Sequence, residues 1–490
     1  MLRPYYKFRE SVMKTTIQVL SEDERNQIHE RSLKILENTG MQVETEKGRK
    51  ILRKAGAQVD ENTKIVRFPR NLIEDSLKTT TKKFTLGARR PGWEIEVNVG
   101  DCVFCGDGEA ANVVDPATGE RRPGTFDDWR KATLILDYAD EVGMYWPLVV
   151  RSDEGKDKYN KVRYMRTLHS TFSKHVNDAV EHTREAPWFL EVIQVIFGDK
   201  KRIRNDHPVS YLLNSQSPLI IEKQHTDAYL EMTDYNFPVA VMPMPMMGAS
   251  APASMISTIL MGNCEALGYL CLIQAAAPGT PFIYAPVPIL IDPRNGRYAG
   301  GALESGLFGA AVTEMGRYYG LPVMAAGTGT DQHFPDIQTG YEKATTGLLT
   351  ALSWPDILLG PGLTGNVLNM CFEQIIIDLE VFRLNKKAHL GFSSEEEKWL
   401  DAVIEKVGPG GNFIGEKTTR TGARSGEWYL SNFGMHDTFE EWDKAGRPKL
   451  LDAARKEVER ILSTHKPIPL DEDVERELIK IEEAAKESIQ

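Results

Sequence analysis

From Thr125 onward the chain alternates short apolar runs with helix-patterned stretches at a nearly even pitch, and few architectures accommodate that pattern. Strands are expected at residues 144–150, 172–177, 209–214, 238–242, 282–285, 322–326 and 357–359. Helical patterns fall between them, for example at 302–319, closed by Gly320, at 337–353 and at 368–384. Successive strands begin roughly 30–45 residues apart, the pitch of βα units in a closed parallel barrel. The expected class is α/β: a TIM (β/α)8-type barrel with an N-terminal α+β extension and C-terminal helices. A doubly wound open sheet is the competitor, but the Gly-rich turn of a dinucleotide fold after the first strand is missing. An eighth strand is expected either at 388–392 or from the region before Thr125.

The division along the chain follows from local signals. Ser21 and Glu24 have capping-box spacing ahead of a helix with Ile28, Leu33, Ile35 and Leu36 on one face, and Gly40 can end it. Pro69 suits the first turn of a second helix. Between 84 and 114 the period shifts to two, with Ile95, Val97 and Val99 alternating with polar residues, and Asp115–Gly119 reads as a turn. Residues 1–120 are assigned to an α+β lead-in packed on the barrel, 121–392 to the barrel, and 393–490 to a charged helical segment. The last helix carries an apolar stripe through Val474, Leu478 and Ile481 for packing on the body or on another subunit.

Composition excludes several classes. With 59 Lys and Arg against 70 Asp and Glu, the net charge of −11 leaves no basic surplus for a nucleic-acid partner. The five cysteines form no framework of pairs, which suits a reducing cytoplasm. The N-terminus lacks the apolar core of a signal peptide, and the long apolar stretch at 254–277 carries Asn263, Glu265 and Gln274, so it is expected to be a packed helix rather than a membrane span. No metal-binding spacing appears. Cys102 and Cys105 stand as a lone pair and are read as structural.

In a barrel the active site is built by residues at the carboxyl ends of strands. The segment PVMAAGTGTDQHFPDIQTGYEKA, 322–344, is the richest of these ends: strand, Gly-rich polar loop, helix. Gly327 and Gly329 let a ligand approach the backbone, and Asp331 and His333 supply chemistry; Asp331 could equally be a helix cap. The other strand ends offer Lys174, His175 and Asn177, then Asn214, Ser215 and Gln216, then Met242, Met244, Met246 and Met247, then Tyr284. Lys174 reads as a Schiff-base lysine or as a solvent-facing one. The set is otherwise rich in aromatic and thioether groups, which suit a cation bearing methyl groups, although any single aromatic is more often core than cage.

Taken together, LSEDERNQIHERSLKILENTGMQVE, KAGAQVD, FPRNLIEDSLKTTTKKFTLGARR, DPATGERRPGTFDDWRKATLILDYADEV, SQSPLIIEK, PDIQTGYEKA, GPGGNF and ILSTHKPIPLD resemble the trimethylamine methyltransferase family over nearly the whole chain. The resemblance implies a TIM-barrel body and transfer of a methyl group from a methylated amine to the Co(I) of a separate corrinoid protein. The founding branch carries pyrrolysine in the barrel; this chain has ordinary residues throughout, and the loop from Gly327 to His333 is where that neighbourhood is sought. The non-pyrrolysine branch acts on quaternary amines, with glycine betaine as the default substrate. The resemblance thus implies no cofactor bound by this chain, cobalamin supplied by a corrinoid protein docking at the barrel mouth, no membrane or nucleic-acid partner, and a homo-oligomer. Asp331 and His333 are the expected catalytic residues. Asn177, Tyr211, Gln216, Met244, Met246, Tyr284, Thr330, Phe334 and Trp354 are expected to bind substrate. In that set aromatics hold the ammonium, Asp331 complements its charge, and His333, Asn177 or Gln216 orients a carboxylate. A non-catalytic betaine-binding barrel and a Schiff-base lyase using Lys174 are the alternatives.

Overall fold

Eight short parallel strands form one sheet in the computed structural model, which describes residues 12–13, 15–154, 160–431 and 433–487. In chain order they are β1 Val103–Cys105, β2 Val142–Tyr145, β3 His175–Asp178, β4 Val209–Leu213, β5 Val239–Val241, β6 Phe282–Tyr284, β7 Met324–Ala325 and β8 Ile357–Leu359. Each pairs with its sequence neighbour except β6 with β7, and β1 pairs with β8, Ile357 opposite Val103. A bridge between Tyr284 and Val323, with the Tyr284 amide 2.9 Å from the Pro322 carbonyl, closes the cylinder between β6 and β7. A helix follows every strand: α1 Phe126–Tyr138, α2 Asn160–Thr171, α3 Ala186–Phe197, α4 Gln224–Leu230, α5 Met255–Ala276, α6 Leu303–Tyr318, α7 Ile337–Ser353 and α8 Phe372–Leu390. This is a (β/α)8 barrel.

The eighth strand is therefore β1, from the region before Thr125, and the segment at 388–392 ends α8 and begins a short strand outside the barrel. The barrel includes residues ahead of the 120/121 division. The antiparallel hairpin of Thr85–Leu86 and Ile95–Glu96 packs Leu86, Ile95 and Val97 into the barrel's amino end, against Val103, Met144, Leu212, Ile283, Met324 and Ile357. The lead-in thus supplies both the first strand and the plug that keeps water out of the bottom.

Local signals explain the remaining elements. Ser21 and Glu24 form the reciprocal capping box on the helix Glu22–Asn38. That helix, with Glu46–Lys54 and Arg70–Thr79, packs on the outer side of α5. This double cover explains why α5 is apolar all round: it is long and apolar enough to cross a membrane, yet it is largely buried between the barrel and these helices. The helix Leu450–Thr464 packs on α8 and α1, and Glu472–Glu487 on α2 and α3, where Arg166 pairs with Glu475 at 2.7 Å and Glu482 at 2.9 Å. The extreme N-terminal stretch, residues 1–11, lies outside the described residues.

Candidate active site

Pleat parity decides which strand residues reach the barrel interior. On β3 His175 and Asn177 point in; on β4 Ser210 and Leu212 do, since the hydroxyl of Ser210 meets both His175 and Asn177. Tyr211 therefore points outward. Its hydroxyl donates to the Val180 carbonyl at 2.9 Å and its ring packs on Tyr229 beneath the helices. Tyr284 also points outward, donating to Asn263 Oδ1 at 2.8 Å and packing on Tyr319. Trp354 lies at the opposite end of the barrel, where the chain enters β8. There it stacks on His389 at 3.8 Å and donates to the Gly100 carbonyl. These three aromatics are core residues, and the cage expected from them does not form.

The loop after β7 is at the mouth, as expected, but its polar groups are largely engaged with protein. Thr330 donates to Glu342 at 2.6 Å, the Asp331 amide donates to the same carboxylate, and Asp331 Oδ1 accepts from the Gly301 amide at 3.1 Å. Asp331 so ties two mouth loops together; the cap of α7 is Asp336. His333 is exposed, with Nδ1 3.4 Å from Asn369, and Phe334 is half-buried. A Cβ on Gly327 would collide with Thr350, and one on Gly329 with the Gly300 carbonyl. These glycines make room for neighbouring protein, and both also line the smaller cavity at the mouth. Met246 packs at the rim of the barrel interior, Met244 is exposed, and Gln216 is exposed in a short strand paired with Ile220–Ile221.

Lys174 does neither of the two things its sequence position suggested. Its ammonium is buried at the amino end of β3, donating to the carbonyls of Leu136, Ala139 and Val142 and lying 4.3 Å from the centre of the Trp93 ring. A lysine so engaged, at the end remote from the mouth, has no route to a substrate carbonyl. Cys102 and Cys105 are both buried thiols, on opposite faces of the sheet.

Among the described residues, two cavities at the carboxyl ends of the strands stand out. The smaller, about 40 Å³, lies between β1 and the loops after β6, β7 and β8. Its wall includes Asp107, Tyr298, Phe308, Thr330 and Leu363. Asp107 is set deep among protein atoms while a strip of it still meets solvent. Desolvation pushes its carboxyl up to about 6, and the Lys343 ammonium opposes that shift. Below it, Lys343 is bound to Asp378 at 2.8 Å, and Asp378 also accepts from the Gly362 amide and from Gln374.

The larger cavity, about 630 Å³, lies over β2, β3 and β4. That is within the range of small-molecule sites. Glu109, Glu181 and Arg184 stand on its exposed rim; Trp146, Arg151, Tyr164, Asn177, Asp178 and Leu212 lie deeper. Its central feature is Arg151. The guanidinium sits 4.2 Å over the Tyr164 ring and 5.3 Å from the Trp129 ring. These rings are themselves linked through Tyr145, whose hydroxyl lies 2.7 Å from Trp129 Nε1 and 3.2 Å from the Tyr164 hydroxyl. Arg151 Nε donates to Glu154 at 2.9 Å, and Glu109 is 3.6 Å from Nη1. Nη1 itself is buried and has no hydrogen-bond partner among the described residues. A planar cation held on aromatic faces with a spare donor is a ready anchor for a carboxylate. Lys161 is engaged by Asp178 at 2.9 Å and by the Ala179 carbonyl. Of the expected residues, Asn177 is in this cavity and Thr330 in the smaller one. Asp107 and Arg151 were both missed. The strand-end rule would have found Arg151 after the 144–150 run, and Asp107 had the first strand been placed at Val103.

The family model for trimethylamine methyltransferase matches residues 6–489. The chain belongs to the trimethylamine methyltransferase family. It is 30% identical to the trimethylamine methyltransferase of Desulfitobacterium hafniense strain DSM 10664 / DCB-2, over 94% of this chain and 93% of that protein. It is 28% identical to the glycine betaine methyltransferase of Desulfitobacterium hafniense strain Y51, over 94% and 95%. Among solved structures, the monomethylamine methyltransferase of Methanosarcina barkeri aligns over 92% of this chain and 93% of its own, with 13% identity and a TM-score of 0.47. The chain is a methyltransferase of this family, built on a (β/α)8 barrel.

Proposed function

We propose that this methyltransferase takes a methyl group from a quaternary amine of the betaine type, glycine betaine by default, and delivers it to a corrinoid protein docked at the barrel mouth. The observation that carries the reading is Arg151, whose buried Nη1 has no hydrogen-bond partner among the described residues and only the Glu109 carboxylate at 3.6 Å, beside a cavity that also presents Trp146, Asp178 and Asn177. A zwitterion matches that distribution: carboxylate on Arg151, methylated cation against an aromatic face and acidic neighbours. The relative named for glycine betaine supports the same class. Trimethylamine has no group for Arg151 to hold.

The chain's own part is binding and orientation. A quaternary ammonium leaves as a neutral amine, so the site needs no proton donor, in keeping with a mouth whose polar side chains mostly bind one another. The Co(I) of the corrinoid protein, when docked, supplies the nucleophile. Arg151 fixes one end of the substrate, and the opening rimmed by Glu109, Glu181 and Arg184 faces outward for the acceptor. Asp107 and Asp331, on the other side of the mouth, add negative potential.

The test is methyl transfer to reduced cobalamin, read by absorbance, with glycine betaine, proline betaine, carnitine, γ-butyrobetaine and trimethylamine offered separately. Transfer from a betaine and none from trimethylamine is the expected result. Transfer from trimethylamine alone overturns the reading, and ligand binding without any transfer makes the protein a sensor.

A further inference from the structure

A line of buried polar groups crosses the barrel interior beneath the larger cavity. The His175 ring has Nδ1 2.8 Å from the Gly87 carbonyl oxygen and Nε2 2.9 Å from Ser210 Oγ. Ser210 Oγ is in turn 2.8 Å from the Asn177 side-chain amide, at Oδ1. All three side chains are fully buried. The other amide atom, Nδ2, is buried without a hydrogen-bond partner among the described residues, on a residue that lines the cavity.

Counting protons along this line constrains the amide. A carbonyl only accepts, so His175 Nδ1 carries hydrogen. Burial drives the ring neutral, lowering it to about 3; the Gly87 bond opposes that shift and His207 adds to it. Nε2 is then a bare acceptor, and the Ser210 hydroxyl must donate to it. That hydroxyl has one hydrogen and cannot also donate to Asn177 Oδ1. With Oδ1 facing Ser210, two oxygens meet with no proton between them, and a buried NH2 goes unpaired, which is unfavourable on both counts. Turning the amide over removes both faults at no cost in shape, because its nitrogen and oxygen are nearly the same size. Nδ2 then donates to Ser210 Oγ.

We infer that His175 and Ser210 are positioning residues that hold the Asn177 amide with its carbonyl oxygen turned into the cavity. The consequence for substrate rests on the betaine reading above. A quaternary ammonium has no N–H; its charge is spread over methyl hydrogens, which a carbonyl oxygen attracts and an NH2 group repels. Asn177 therefore faces the methylated end and disfavours a carboxylate. This reverses its expected role in orienting a carboxylate and leaves that role to Arg151.

Two measurements decide it. The first needs no ligand: long-range nitrogen–proton spectra of the full chain labelled with 15N-histidine, at neutral pH. His175 is expected as the neutral ring with hydrogen on Nδ1; hydrogen on Nε2, alone or in the charged ring, overturns the proton count. The second is steady-state methyl transfer, with melting curves to confirm folding. Asn177→Ala should raise KM for the quaternary amine by about tenfold, with a much smaller change in kcat. Ser210→Ala should do nearly the same, the double variant should be no worse than either, and Ser210→Thr should keep the wild-type KM. Additive losses, or an unchanged KM in Ser210→Ala, overturn the positioning role. If the wild type turns over no quaternary amine, the betaine reading fails, and the ring spectrum still decides the orientation.

Discussion

Replacing Arg151 with Met removes the guanidinium over Tyr164 and leaves an unbranched apolar side chain in its place. Arg151 Nε is taken by Glu154, while Nη1 faces Glu109 only at 3.6 Å and has no hydrogen-bond partner among the described residues, so a substrate carboxylate gains one or two charge-assisted hydrogen bonds there. Bonds to charged groups contribute roughly 1.5–3 kcal/mol, so affinity for a betaine should fall by about tenfold to a hundredfold. The fold is affected less. Cation–π contact with Tyr164 at 4.2 Å is lost, on the order of 1–2 kcal/mol, while Glu154 keeps Arg163 at 3.8 Å. The assay is calorimetric titration of wild type and Arg151→Met with glycine betaine and with choline, which has the same cationic head but no carboxylate. The loss should be confined to glycine betaine. Equal losses for both ligands, or none for either, would refute the assignment of Arg151 to the carboxylate.

Four further outcomes follow from the structure. Asp107 holds its proton more tightly folded than unfolded, so stability should fall as pH rises from about 4 to about 6 and then level off; Asp107→Asn should flatten that window in pH-dependent denaturation. Over the same window cation binding should strengthen in the wild type as the carboxylate ionises, and Asp107→Asn should lose that rise in a titration. Asp378→Asn leaves the buried Lys343 ammonium without its counter-ion and should destabilise by about 3–5 kcal/mol in urea unfolding. Trp354→Ala should lower the melting temperature by deleting a buried ring together with its stack on His389, about 3–5 kcal/mol, yet leave KM for substrate unchanged, because the residue is at the far end of the barrel.

Much of this fold was written in local signals. The capping box at Ser21, the turn at Asp115–Gly119, whose Gly119 amide returns to Asp115 at 2.9 Å, and the helix Ile337–Ser353 all depend on residues a few positions apart, and all were legible. So was the strand and helix alternation that specifies a barrel, together with the long motifs that mark the family. Position within the barrel was not legible. Its strands are covered on both faces, by core within and helices without, so Val209–Leu213 is apolar or buried throughout and loses the alternation that would show which way Tyr211 points. β1 is three residues long and is defined by pairing with Ile357–Leu359, more than half the chain away. The site depends on the same long-range contacts. Arg151 owes its aromatic platform to Trp129 on α1 and Tyr164 on α2, and Asn177 owes its orientation to Ser210 on the next strand and His175 below. Sequence alone therefore determined the architecture and the chemical class. Only tertiary structure decided which side chains share a cavity, because pleat parity and barrel closure are properties of the assembled sheet.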